Sequence, residues 1–129
     1  MNTPKYLKFT KTDEWVKVDG NIAKIGISDF AQGQLSDIVY IEFNKEPEES
    51  VEEGQTLATV ESVKAAADVN SPISGKVIEV NESLSDTPEL LNEDPYKNGW
   101  LFKIELNNPA ELNELLDAIG YDELCESRH

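Results

Sequence analysis

Over the first two thirds of the chain, apolar and polar positions alternate in short runs, each too brief to bury a face alone. Trp15 to Val18 ends at the turn dipeptide Asp19-Gly20, and Ile22, Ile25, Gly26 and Ile27 resume mostly apolar, β-branched character, so an early hairpin is predicted. Ser28 stands as N-cap to a short helix over Asp29 to Leu35, with Phe30, Ala31 and Leu35 toward the core. Ile38-Val39-Tyr40-Ile41-Glu42-Phe43 is the strongest strand signal, and it runs into an acidic, solvated connection from Asn44 to Glu53. Leu57 to Glu61, Ala66 to Asn70 and Val77 to Val80 are further strands, with Gly54 and Gly75 at turns and Pro72 ending a strand where no amide donor is needed. Thr87-Pro88-Glu89-Leu90 can start a helical turn, Asn92 to Tyr96 is a loop, and Trp100 to Ile104 is the last strand.

The period then changes. Asn108 as N-cap, Pro109 at the first helical position and Glu111 at the third start a helix whose Leu112, Leu115, Leu116 and Ile119 share one face, with Gly120 as the stop. A helix over about residues 109–119, docked on the β-core, is expected. Short hairpins need a second sheet to cover them, which gives a mainly β fold: a flattened barrel or sandwich of small antiparallel sheets, one internal helix and one C-terminal helix. At 129 residues the chain suits a single domain, 1–129, with its core at about 20–106.

Charge narrows the partners. With 26 acidic against 11 basic residues, a net charge of −15 and one arginine, Arg128, the chain is a poor ligand for nucleic acid and is repelled by anionic membranes. It favours basic protein surfaces. The only cysteine, Cys125, and the only histidine, His129, lie in the tail, where chains commonly fray, so neither a Cys/His metal site nor a Ser/His/Asp set is expected. One cysteine forms no disulfide within the chain and suits a reducing compartment: a bacterial-type cytoplasm, or a mitochondrial matrix after loss of a transit peptide. The start, MNTPKYLKFTKTDEW, carries no apolar leader, and no stretch reaches a membrane span. A monomer is expected.

Lys64 invites a chemical reading because it falls between two strand-like runs, at or beside a hairpin tip. An exposed amine is protonated at neutral pH and is a poor Schiff-base nucleophile, but its flexible stem is easily offered to a modifying enzyme. On composition alone an ordinary surface lysine is the stronger account.

Several ordered blocks change that balance. Val51-x-x-Gly54, Glu61-Ser62-Val63-Lys64-Ala65 and Ser71-Pro72-x-Ser74-Gly75 resemble the biotinyl and lipoyl carriers. Glu14-Trp15-Val16, Asp37-Ile38-Val39, Asn92-x-Asp94-Pro95-Tyr96 and Gly99-Trp100-Leu101 extend the resemblance to the H-protein family of the glycine cleavage system. Biotin carriers place methionines beside the lysine, whereas Met1 is the only methionine here, and dehydrogenase lipoyl domains place Asp where Val63 stands. Two positions depart from the H-protein pattern: Asp13, where the family often has His, and Ser36, where it often has Gly.

The resemblance implies a lipoyl-domain fold that is not itself an enzyme. It implies lipoate in amide linkage to Lys64, with Glu61, Ser62, Val63 and Ala65 as the turn that lipoylating enzymes recognise. The strained five-membered disulfide of lipoate would supply the chemistry. The implied partners are a pyridoxal-phosphate glycine decarboxylase that loads an aminomethyl group, a folate-dependent aminomethyltransferase that removes it, and a flavin-dependent dihydrolipoyl dehydrogenase. Thr12, Glu14 and Asp68 are the implied shelter for the loaded arm, although Glu14 and Asp68 are equally accounted for as solvated acids. The competing readings are an H-like carrier that donates lipoyl groups to other complexes and, more remotely, a small hydrolase using a carboxylate pair.

Overall fold

A computed structural model describes residues 2–128. Nine strands form two antiparallel sheets. The larger has the order β1-β2-β3-β9-β8-β5, from Lys8–Phe9 (β1), Glu14–Asp19 (β2), Ile22–Ile27 (β3), Phe102–Leu106 (β9), Gly75–Val80 (β8) and Ser50–Val51 (β5). The smaller is β4-β6-β7, from Ile38–Phe43 (β4), Thr56–Ser62 (β6) and Ala66–Asn70 (β7). The mainly β architecture with helical additions is the one expected.

The early hairpin is in place, with Gly20 at φ +65° closing it. Helix α1 spans Asp29–Leu35, and the Ser28 hydroxyl accepts the Ala31 N–H as its cap. Leu35 is buried, Ala31 packs on the main core, and Phe30 packs on a second cluster. The main core holds alternate residues such as Ala23 and Ile25, Leu57 and Val77, Phe102 and Ile104. The second cluster, Leu7, Phe9, Trp15, Tyr96, Ala118, Tyr121 and Cys125, joins the two ends of the chain, with Phe9 and Tyr121 stacked at 4.5 Å between centroids.

The C-terminal expectation needs correction. Residues Pro109–Glu114 form a 3-10 turn, Leu115 is extended, and the α-helix, α3, spans Ala118–Ser127, so the helix expected over 109–119 lies more than two turns downstream. Two long-range contacts override the local capping signal. The Glu111 carboxylate bonds the Ser74 N–H and hydroxyl (2.7 and 2.8 Å) and not the Asn108 amide. Leu116 exchanges both backbone hydrogen bonds with Phe9, each 2.8 Å, which holds it extended. Asp117 caps α3 by accepting the Gly120 N–H, so Gly120 opens the helix and does not stop it, and Ile119 is exposed. Cys125 is fully buried on α3 and not part of a frayed tail, while His129 lies outside the described residues. The acidic connection contains β5, which pairs with β8. Gly75 is a strand residue and not a turn: a Cβ there would overlap the Glu105 carbonyl oxygen of β9.

A short helix α2 over Leu90–Glu93 follows the expected turn, and Asn92 reaches back to accept the Ile38 N–H and to donate to the Ser36 carbonyl oxygen. Among the described residues no helix is long and apolar enough to cross a membrane.

Candidate functional site

Lys64 stands at the tip of the β6–β7 hairpin, exposed, and among the described residues no ion pair involves it. Ser62 locks the turn beneath it. Its amide donates to the Ala65 carbonyl (2.8 Å), and its hydroxyl donates to the same carbonyl (3.0 Å) while accepting the Ala65 and Lys64 amides. The Val63 amide bonds the Asp37 carbonyl (3.0 Å), tying the turn to the start of β4. The backbone around the lysine is thus fixed, and its side chain is free to move. Glu61 is exposed on β6, opposite Tyr40 and Ala66.

Beside the middle of β7 lies a small cleft of about 140 Å³ between that strand, α1 and the β1–β2 turn. Thr12 and Glu14 line it together with Asp68, which is far from them in sequence. Ile27, Leu35 and Val60 supply apolar walls. β7 begins at Ala66, so Asp68 stands two residues, about 7 Å, along the strand from the turn that carries Lys64.

Glu14 is only 1% exposed. Its Oε1 accepts the hydroxyls of Thr10 (2.6 Å) and Thr12 (2.5 Å), and its Oε2 accepts the Asn70 amide (3.1 Å). A carboxylate has about four acceptor sites, so one on Oε2 remains for a further donor. Burial raises the Glu14 pKa above the ordinary 4.5, the three hydrogen bonds oppose that rise, and the charge of Asp13 adds to it. An anion desolvated in this way and lacking a cation gains more from an incoming ammonium than a solvated glutamate would. Asp68 differs: it is exposed at the rim, with the Thr59 hydroxyl donating to it at 3.1 Å. Reading Glu14 as a solvated acid is therefore overturned, whereas Asp68 is a solvated acid that also borders the cleft.

Two neighbours were not picked out from the sequence. Thr10 completes the Glu14 cradle, but a threonine two residues from Thr12 carries no signal by itself. Asp13 has φ +77° and also lines the cleft. Its carboxylate accepts the Tyr121 hydroxyl (2.7 Å) and the Arg128 guanidinium (2.6 and 3.2 Å), so α3 anchors the turn that presents Thr12 and Glu14. Tyr121 also shares a bond with the Ser28 hydroxyl at the head of α1 (2.5 Å). Burial pushes the Tyr121 hydroxyl pKa far up, as befits a group that acts as a structural donor. The Trp15 ring is buried with its Nε1 donating to the Pro95 carbonyl (2.9 Å), which makes it a packing residue.

The family model described as glycine cleavage H-protein matches residues 7–128. A glycine cleavage system H protein of Carboxydothermus hydrogenoformans is 53% identical over 123 residues, covering 95% of this chain and 94% of that protein. A mitochondrial glycine cleavage system H protein of Arabidopsis thaliana is 48% identical over 122 residues, covering 95% of this chain and 78% of the relative. The crystal structure of a glycine cleavage system H protein from Mycobacterium marinum superposes with a TM-score of 0.83 at 30% identity, covering 97% of this chain and 98% of that one. A match from Leu7 to Arg128, together with shared topology and a relative more than half identical, places this chain in the glycine cleavage H-protein family.

Proposed function

We propose that this protein is the lipoyl-bearing carrier of a glycine cleavage system, with lipoate in amide linkage to the Lys64 Nζ. In this role it receives an aminomethyl group from a pyridoxal-phosphate glycine decarboxylase and delivers it to a folate-dependent aminomethyltransferase. A flavin-dependent dihydrolipoyl dehydrogenase then restores the carrier. The observation that carries the reading is the placement of Lys64 on a rigid, exposed turn just before β7, with the cleft of Glu14 and Asp68 beside the middle of that strand. About ten rotatable bonds separate the lysine Cα from the lipoyl ring, a reach of about 12 Å when extended, which is enough to span the short run from the turn to Asp68. The residues present therefore fit the group. When bound, lipoate supplies a readily opened cyclic disulfide as acceptor and a thiol as carrier atom.

The chain's own residues hold and shield. Ser62 and the Val63–Asp37 hydrogen bond fix the turn that a lipoylating enzyme must engage. Ala65 and Ala66 give the arm a low path along β7. At the cleft, Ile27, Leu35 and Val60 exclude water, while Glu14 and Asp68 attract the ammonium of the cargo. Thr12 and Thr10 hold Glu14 in place by donating to Oε1. No step requires the chain to act as acid, base or nucleophile, in keeping with a carrier and not an enzyme. The reducing environment that a lone cysteine suits is met by a cytoplasm or a mitochondrial matrix.

Intact mass and peptide mapping of the protein incubated with a lipoylating enzyme, lipoate and ATP test the assignment. Lipoate is expected on Lys64 only, and Lys64→Arg should abolish carrier turnover while shifting stability by no more than about 0.5 kcal/mol. Lipoate on Lys76 or another lysine, or turnover surviving in the arginine variant, would overturn it.

A further inference from the structure

Beside the lysine turn the fold does something costly. Along β4, Ile38 and Ile41 are both buried at 3% exposure, three residues apart, where strict strand alternation would separate them by two or four. The phase slips because Ile38 pairs with Ser62 and Tyr40 with the next residue, Glu61, which leaves Val39 as the extra residue of a β-bulge. As a result two consecutive apolar side chains face water, Val39 at 55% exposure and Tyr40 at 52%. Val63, at 68%, joins them, because its amide is bonded to the Asp37 carbonyl two residues before Val39. Among the described residues, half of the exposed large hydrophobic side chains are these three. They lie on β4 beside the last residues of β6 and on the turn that carries Lys64, with no return in folding energy, since none packs within the molecule's core.

We propose that Val39, Tyr40 and Val63 form a docking surface for the enzymes that must reach the Lys64 amine, and that such a partner presents an apolar depression rimmed by lysine or arginine. The rim follows from charge: Asp37, Glu42 and Glu61 are exposed around the patch and no ion pair within the described residues neutralises them. A second copy of this chain is the alternative occupant, and two features oppose it. The bulge twists β4 away from the flat edge that strand-to-strand pairing needs, and a net charge of −15 repels another copy. The surface thus belongs to side-chain docking by a basic protein. This inference deepens the carrier reading and rests on it.

The test uses the unmodified full chain and a purified lipoylating enzyme. The dissociation constant is measured by calorimetry without lipoate, and attachment rates are then followed by intact mass over a range of carrier concentration. The double variant Val39→Thr/Tyr40→Thr places strand-favouring, β-branched residues at both exposed positions, so its thermal midpoint should match the wild type. Its affinity and its kcat/KM for lipoyl attachment should fall at least ten-fold, with kcat nearly unchanged. Ile119→Thr, an equally exposed residue on α3, is the control and should bind like the wild type. Tyr40→Lys should weaken binding more than Tyr40→Glu, because it sets a cation against a basic rim. Equal affinity for the wild type and the double variant, an equal loss in the Ile119 control, or the reverse order of the two charged variants would overturn the proposal. So would sedimentation showing dimers that the double variant abolishes, which would assign the patch to a second copy. A wild type that binds the enzyme normally but acquires lipoate away from Lys64 would overturn the carrier reading itself, and a wild type modified at Lys64 as readily as its double variant would overturn the docking surface alone.

Discussion

Glu14→Gln removes one charge from the wall of the cleft and keeps the side chain's shape. In the wild type three donors converge on this carboxylate, and one acceptor site on Oε2 is left, which in the proposed carrier would take the cargo ammonium. A hydrogen bond to a charged group contributes about 1.5 to 3 kcal/mol, so its loss should expose the loaded arm ten-fold or more often, and the cargo should hydrolyse faster by a similar factor. The pH dependence gives a sharper signature. Burial raises the pKa of Glu14, so this carboxylate takes up its proton at a higher pH than an exposed glutamate, whose ordinary value is 4.5. The grip on an ammonium needs the ionised form. It is complete on the alkaline side and is lost as pH falls through the raised pKa, where the wild type becomes as neutral as the glutamine variant. The assay is the half-life of the loaded carrier, by intact mass, for both proteins from pH 8 down to the acid limit of the fold under matched buffers. The ratio of half-lives should be large at the top and approach one toward the bottom. Equal half-lives throughout would refute a role for the charge, and a ratio that grows on acidification would refute the sign. The same shift acts oppositely on folding: the raised pKa contributes stability in full below the ordinary value, and that contribution disappears as pH rises through the folded value.

Ser36 has φ +64° and ψ −150° at the end of α1, a conformation nearly restricted to glycine and costing about 1 to 3 kcal/mol for other residues. Ser36→Gly should therefore raise the unfolding free energy by a net of about 1 kcal/mol after glycine's greater freedom when unfolded is subtracted, and urea titration would show otherwise if the midpoint fell. Gly75→Ala forces a methyl group into the Glu105 carbonyl and must part β8 from β9, so a loss of several kcal/mol is expected in the same titration, against a near-neutral outcome if the strands can shift. Rates of loading by the decarboxylase should fall as salt rises, since a net charge of −15 steers encounter with basic surfaces and the screening length is about 8 Å at physiological salt; stopped-flow rates that stay flat would confine the acidic surface to solubility.

How far the sequence alone reached depends on how local each signal was. Asp19-Gly20, the Ser28 cap and the β-branched run from Ile38 act within a few residues, and each element formed where those residues place it. Lys64 at a hairpin tip was legible for the same reason, although its role came from the resemblance and not from the turn. The helix of the tail failed because a capping box contributes little beside a pair of charged hydrogen bonds to Ser74 and a backbone exchange with Phe9, neither of which leaves a trace near Asn108. The bulge at Val39 is likewise invisible in a run of apolar residues, since register is set by the partner strand.

The cleft is the clearest division between the two levels. The chain determined by itself that acids and threonines stand near the start of β2 and on β7. Only tertiary packing determined that Glu14 is buried and Asp68 is not, that Asn70 donates to Glu14 across 56 positions of sequence, and that Arg128 and Tyr121 anchor Asp13 from the other end of the chain. The reason is physical: periodicity and propensity are summed over neighbouring residues, whereas desolvation and charge pairing depend on which distant surfaces close over a group, and that is fixed only when the two sheets and the terminal helix have packed.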